Sequence, residues 1–236
     1  MLGTYMRIVT LPFPFVLACI LAGACSASIG PIGSPAVGDG GSSGGGGSDA
    51  ALDLDIQPAN NFSGVDGSRT FKVPIAVYRA GSDLKVTVSD PSVADIRPAK
   101  SLGGNDTGRY FMLTAKKAGV VDITGTSNGK TITAKLTVQD YAAGRYATGE
   151  SRYKTGPDND NPSCASCHQK AGGADHSPAA LASVNDEEIQ AIITSGVKPG
   201  GVPIIGTKHT WTATQPQLEG LVTYLRALPP LGFEEQ

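Results

Sequence analysis

Cys164-Ala165-Ser166-Cys167-His168 is the stretch that decides how the C-terminal part of this chain is read. Two thiols three residues apart, followed at once by a histidine, are what covalent attachment of a c-type haem requires. Each sulfur can add to one vinyl group, and the histidine then lies beneath the iron as its proximal ligand. Two other chemistries use the same cysteine spacing. A thioredoxin-like dithiol belongs where a strand feeds a helix in a βαβ unit, and no such unit is legible in this sequence. A zinc centre needs two further ligands, and no second C-x-x-C pair is present. The motif therefore predicts one covalently attached haem c per chain, with Cys164 and Cys167 as the attachment sites and His168 as an iron ligand.

The flanking segments read as helices. From Tyr141 the chain has helical character, and Gly149 and Tyr153, four apart, share a face. Asn185 is placed to cap a helix that opens with Asp186-Glu187-Glu188, buries Ile189, Ile192 and Ile193, and ends at Gly196. Thr214 with Gln217 three positions on starts a last helix, whose apolar face is Leu218, Leu221, Val222 and Leu225, before Pro229. Tyr224 sits on that helix.

This order of a Gly-x-x-x-aromatic helix, C-x-x-C-H, a middle helix, a loop and Leu221-Val222-Thr223-Tyr224-Leu225-Arg226 resembles the small class I cytochromes c. The resemblance spans residues 141–229. It implies that a glycine of the first helix, Gly149 or Gly144, lets that helix cross the last one closely beside Tyr224. It also implies a sixth iron ligand from the loop after the middle helix. In the family that ligand is usually methionine, and here the loop has none: the methionines are Met1, Met6 and Met112. Where Met-Pro is expected the chain reads Val202-Pro203. His209, in the same loop, is the candidate sixth ligand, with a vacant or water-bound site as the alternative. His176 follows His168 by only eight residues, a short path around a haem edge, and is read as bonded near a propionate or exposed. Trp211 is read as packing near the haem. Histidine on both sides of the iron predicts a lower potential than histidine with methionine, and a closed iron suited to electron transfer.

Residues 52–138 change to short alternating runs between turn signals. Segments 71–78, 84–89, 109–115, 120–126 and 131–138 read as strands. In the last, Ile132, Ala134, Leu136 and Val138 point one way and Thr131, Thr133, Lys135 and Thr137 the other. Asn128-Gly129 supplies the positive φ angles of a tight hairpin, and the pattern favours a β-sandwich. Val88-Ser89-Asp90-Pro91-Ser92-Val93-Ala94, Leu113-Thr114-Ala115-Lys116-Lys117-Ala118-Gly119 and the strand through Val138 are similar to the bacterial immunoglobulin-like repeats of cell-surface proteins. An insert around Gly103-Gly104-Asn105-Asp106 departs from that family. The resemblance implies a spacer or adhesive module. Asp53, Asp55 and Asp66 are calcium candidates, or simply solvated loop carboxylates.

Ahead of this lies a Gly/Ser/Pro segment, 26–48, with almost no apolar side chain to bury, which predicts a flexible tether spanning roughly 25–30 Å as a coil. Arg7 and the apolar run 8–24, broken by Pro12 and Pro14, have the parts of an export signal. Leu21-Ala22-Gly23-Ala24-Cys25 resembles the lipobox of bacterial lipoproteins, which implies acylation of Cys25; Cys19 is a second candidate, and plain cleavage near Ala24 or Ala27 the alternative. The four cysteines thus fall into two pairs, and none is left for a disulfide in the body of the chain.

The 236 residues suit two small domains. A formal net charge of −2 argues against charge-driven partnership with nucleic acid. The expected organisation is a signal peptide (1–24), a tether (25–49), an all-β immunoglobulin-like sandwich (50–140) and an all-α cytochrome c domain (141–236). The expected function is a cell-envelope-anchored c-type cytochrome, an electron-transfer protein rather than an enzyme. It would sit in the periplasm or outer membrane, held by its lipid and passing electrons to redox partner proteins. Two alternatives stand beside it: a haem peroxidase or gas sensor with an open sixth site, and an adhesion or scaffold protein using its β-domain.

Overall fold

A computed structural model describes residues 53–103, 107–156, 162–169, 173–205 and 209–236. The export signal, Cys19, Cys25, the tether and Gly104-Asn105-Asp106 lie outside the described residues. The chain forms a β region of two sheets followed by a small region of four helices.

Strands β1 (Asp55–Gln57), β3 (Lys72–Tyr78), β5 (Ala94–Ser101) and β6 (Arg109–Ala115) build one sheet in the order β1-β3-β6-β5. Strands β2 (Asn60–Val65), β4 (Lys85–Val88), β7 (Gly119–Ser127) and β8 (Lys130–Asp140) build the other in the order β2-β8-β7-β4. All pairings in both are antiparallel except β2 with β8. Alternation decides the faces: Ala134, Leu136 and Val138 of β8 are buried while Lys135 and Thr133 are exposed. With Phe71, Ile75 and Leu113 they belong to one apolar core. The β7–β8 turn has φ of 51° at Asn128 and 71° at Gly129, the doubly positive pair a two-residue hairpin demands. Asp83 braces it by accepting from Ser127 Oγ at 2.7 Å and from the Asn128 amide at 2.8 Å.

The helices are α1 (Arg145–Thr155), α2 (Cys164–His168), α3 (Asp186–Ser195) and α4 (Gln215–Arg226), with a two-residue ladder between β9 (Val197–Lys198) and β10 (Val202–Pro203). Helix α3 begins in a capping box: Asn185 Oδ1 accepts from the Glu188 amide and Glu188 Oε2 from the Asn185 amide, both at 2.8 Å. It ends at Gly196, φ 66°. Among the described residues no helix is long and apolar enough to cross a membrane.

The two regions are joined by more than the Gln139-Asp140 junction. Phe62 of β2 donates its amide to the Ala182 carbonyl at 2.9 Å. Tyr141 Oη donates to Asp186 Oδ2 at 2.8 Å, and its ring lies where any Cβ on Gly64 would stand. Arg226, 1% exposed, donates from Nε and Nη2 to Asp186 Oδ1 and from Nη1 to the Leu181 carbonyl, with Val184 O as a further acceptor. Arg69 places its guanidinium 3.6 Å from the centroid of Tyr146 in α1. The tail then leaves the helices: β11 (Phe233–Glu235) pairs antiparallel with β5, and Glu235 meets Lys72 at 2.8 Å.

Candidate functional site

Helices α1 and α4 set the frame of the site. A Cβ on Gly149 would overlap the Gly220 carbonyl, so the two backbones touch there. Tyr146 and Tyr153 flank the crossing and pack on Tyr224, with ring centroids 5.3 and 5.0 Å away. The glycine that the resemblance assigned to this crossing is therefore Gly149; Gly144 caps α1 instead with φ 82°. Its counterpart Gly220 was not singled out in the sequence, although it lies in the same apolar segment as Leu221.

Helix α2 carries the C-x-x-C-H motif. Ser163 caps it, its Oγ accepting from the Ser166 amide at 3.2 Å. Cys164 and Cys167 are thiols, not a disulfide. The returning loop presses against this helix, since a Cβ on Gly173 would lie 2.6 Å from the Cys167 carbonyl oxygen. One step on, the Ala174 carbonyl accepts a hydrogen bond from His168 Nδ1 at 3.2 Å. A carbonyl only accepts, so Nδ1 holds the proton and Nε2 keeps its lone pair. That is the arrangement in which histidine ligates a metal.

All three histidines of the chain meet here. His168 and His209 have parallel rings, 14° between planes and 5.8 Å between centroids. His176 stacks on His168 at 3.5 Å and lies 3.4 Å, Nδ1 to Oη, from Tyr153. It is half-buried and not in solvent as one reading of the sequence had it. Trp211 meets His209 edge-on at 4.8 Å and donates its amide to the Ile193 carbonyl. Arg152 of α1 anchors the same loop by donating to Thr212 O at 3.1 Å. The walls between are apolar: Leu181, Ile189, Ile192, Ile193, Leu221 and Leu225.

Burial sets the charge states. It holds His168 below its ordinary pKa against the Ala174 bond, and it depresses His209, with His168 and Lys198 adding to the effect. His176 is pushed down to about 3 by burial first and by the two neighbouring imidazoles second. All three rings are neutral at pH 7 and so have lone pairs to give. Burial also raises the Cys164 thiol. That direction is opposite to the depressed thiol through which a redox dithiol works.

These residues fit a covalently held haem in their donor set: two thiols, an imidazole of defined tautomer, a second imidazole across an apolar cleft, and a buried Nδ1 on His209 without a hydrogen-bond partner. The enclosed space is about 40 Å³, far below the roughly 300–1,000 Å³ of ligand pockets. A macrocycle fits only with the His209 and α2 walls moved apart. Residues 157–161, 170–172 and 206–208 are outside the described residues.

The calcium candidates are spread apart in use: Asp53 pairs with Lys130, Asp55 accepts from Gln57, and Asp66 holds Ser68 and Arg69. Among the described residues no group of three or more His, Cys, Asp or Glu side chains has the geometry to hold a bare metal ion. Arg152 and Arg226, both buried, were not singled out in the sequence because a lone arginine in a helix looks like a solvated one.

No protein-family model matches the chain, and no curated protein matches it. Among solved structures it is similar to domains 4 and 5 of the S-layer protein SbsC, at 16% identity and a TM-score of 0.26, over 37% of this chain. The match spans about half the length of that structure, 51%.

Proposed function

We propose that this chain is a c-type cytochrome of the cell envelope, a carrier of single electrons anchored through Cys25 and raised on its tether and β region. The observation that carries the reading is the His168–Ala174 bond beside a second parallel imidazole in an apolar cleft. Haem, when bound, supplies the one-electron chemistry. Cys164 and Cys167 would hold it, and His168 and His209 would supply nitrogens to its iron. The β region, with its two sheets in which most neighbouring strands are not consecutive in sequence, is read as an immunoglobulin-like spacer.

The protein's own part is binding and exclusion. The leucine and isoleucine walls keep water from the donor atoms. The Ala174 carbonyl holds the His168 tautomer, and Arg152 with the Ile193 carbonyl holds the loop that presents His209. With both histidines engaged, no exchangeable position would remain for peroxide or gas, which would favour electron transfer over catalysis or sensing.

The deciding experiment is visible absorption and magnetic circular dichroism of the haem-loaded protein in both redox states, with His209→Ala alongside. A low-spin bis-histidine spectrum that becomes high-spin in His209→Ala is expected. High-spin iron in the unmutated protein, binding carbon monoxide readily when reduced, would overturn the closed-carrier reading.

A further inference from the structure

His168 is held from two sides by one short loop. Gly173 lies against the α2 backbone, Ala174 takes the Nδ1 proton, and His176 covers the face of the imidazole at 3.5 Å and 28°. The loop is itself pinned: Asp175 accepts from the Ser177 amide at 2.7 Å and from Ser177 Oγ at 2.9 Å, and Ser177 is 2% exposed. His176 in turn leans on Tyr153, which is 3% exposed and locked against Tyr224. A chain of contacts thus runs from α4 through α1 to the face of His168.

We propose that His176 is a positioning residue for His168, setting the rotation of its ring and protecting its bond to Ala174, and is not itself an iron ligand. This rests on the haem reading for its effect on iron, though not for its effect on the imidazole. Under the haem reading His168 and His209 fill the two ligand positions, which leaves His176, lying flat on the His168 face, the packing role. Its Nδ1 is turned to Tyr153. A ligating histidine that donates firmly from Nδ1 is the more basic ligand and favours the oxidised metal. Loosening the ring weakens that bond and raises the midpoint potential.

The test has two parts. In haem-loaded His176→Ala, the covalent haem and six-coordinate low-spin spectrum are retained, the potential moves upward, and the low-spin EPR g values change. His176→Phe, which restores a ring over His168, returns the g values toward those of the unmutated protein. In the unloaded protein, imidazole ¹⁵N shifts report a single Nδ1–H tautomer for His168 that becomes mixed in His176→Ala. High-spin iron in His176→Ala would make His176 a ligand and overturn the proposal. So would an unchanged potential with unchanged g values. A chain that never acquires haem would overturn the proposed function alone, and the ¹⁵N shifts would then decide the positioning role.

Discussion

At Gly149 and Gly220 two helices meet with no side chain between them, and one added methyl has nowhere to go. Overpacking of this kind costs about 1–3 kcal/mol. Gly149→Ala is therefore expected to lower the free energy of unfolding by that amount, and a urea titration followed by intrinsic fluorescence checks it. Arg226 is the opposite case, a charge buried with its partners. Its fork serves Asp186, Leu181 O and Val184 O together, which a lysine ammonium at the same place does not reproduce. Removing one partner of a buried pair costs about 3–5 kcal/mol. Arg226→Ala should lose stability on that scale, and Arg226→Lys should recover only a minor part, both read from thermal unfolding. Neither Gly220 nor Arg226 was legible as special in the sequence. Gly220 and Arg226 sit in a helix whose pattern is complete without them, and only the neighbour across the interface gives them a task.

Elements with strong local instructions were read directly. Strands β3, β4, β6, β7 and β8 lie within a residue or two of the predicted runs, because alternation and the Asn128-Gly129 turn act within one hairpin. The capped ends of α3 and α4 were equally plain. Strands β2 and β5 were missed for a physical reason: Asn60-Asn61 and Arg97-Pro98 carry weak strand propensity, and pairing with β8 and β6 overrides it. The brace on the β7–β8 turn also comes from outside the hairpin. Bonds from Ser127 and Asn128 hold the Asp83 carboxyl below the usual carboxylate range. A carboxyl depressed in the folded state stabilises it above the unfolded pKa, and that contribution fades as pH falls through the folded value. Stability of the unmutated protein should thus drop on acidification below about pH 4, and Asp83→Ala should flatten that part of the profile. Matched equilibrium unfolding curves at pH 7 and pH 3 would show it.

The whole molecule is tied at its middle and at its end. Tyr141, Asp186 and Arg226 join the sheets to the helices, and β11 brings the tail back to β5. One buried core runs through both regions, from Phe71 and Leu136 to Tyr224 and Leu225. Calorimetry is accordingly expected to show a single unfolding transition. Deleting residues 233–236 should lower its midpoint and broaden or split it, with hydrogen exchange rising first in β5. Two separate transitions in the full chain would contradict the coupling.

The sequence by itself determined the order of the elements, the cap and turn residues and the set of chemically capable side chains, since these depend on spacing along a few residues. It also separated a β region from a helical one, because periods of two and of 3.6 are visible without any partner. Tertiary structure alone decided which side chains share a site. His168, His176 and His209 lie up to 41 positions apart, and only the α1–α4 crossing and the loop pinned by Asp175 bring their rings together. The join between regions was likewise outside local reach, for burial of Arg226 and return of β11 are long-range pairings that no stretch of chain encodes alone.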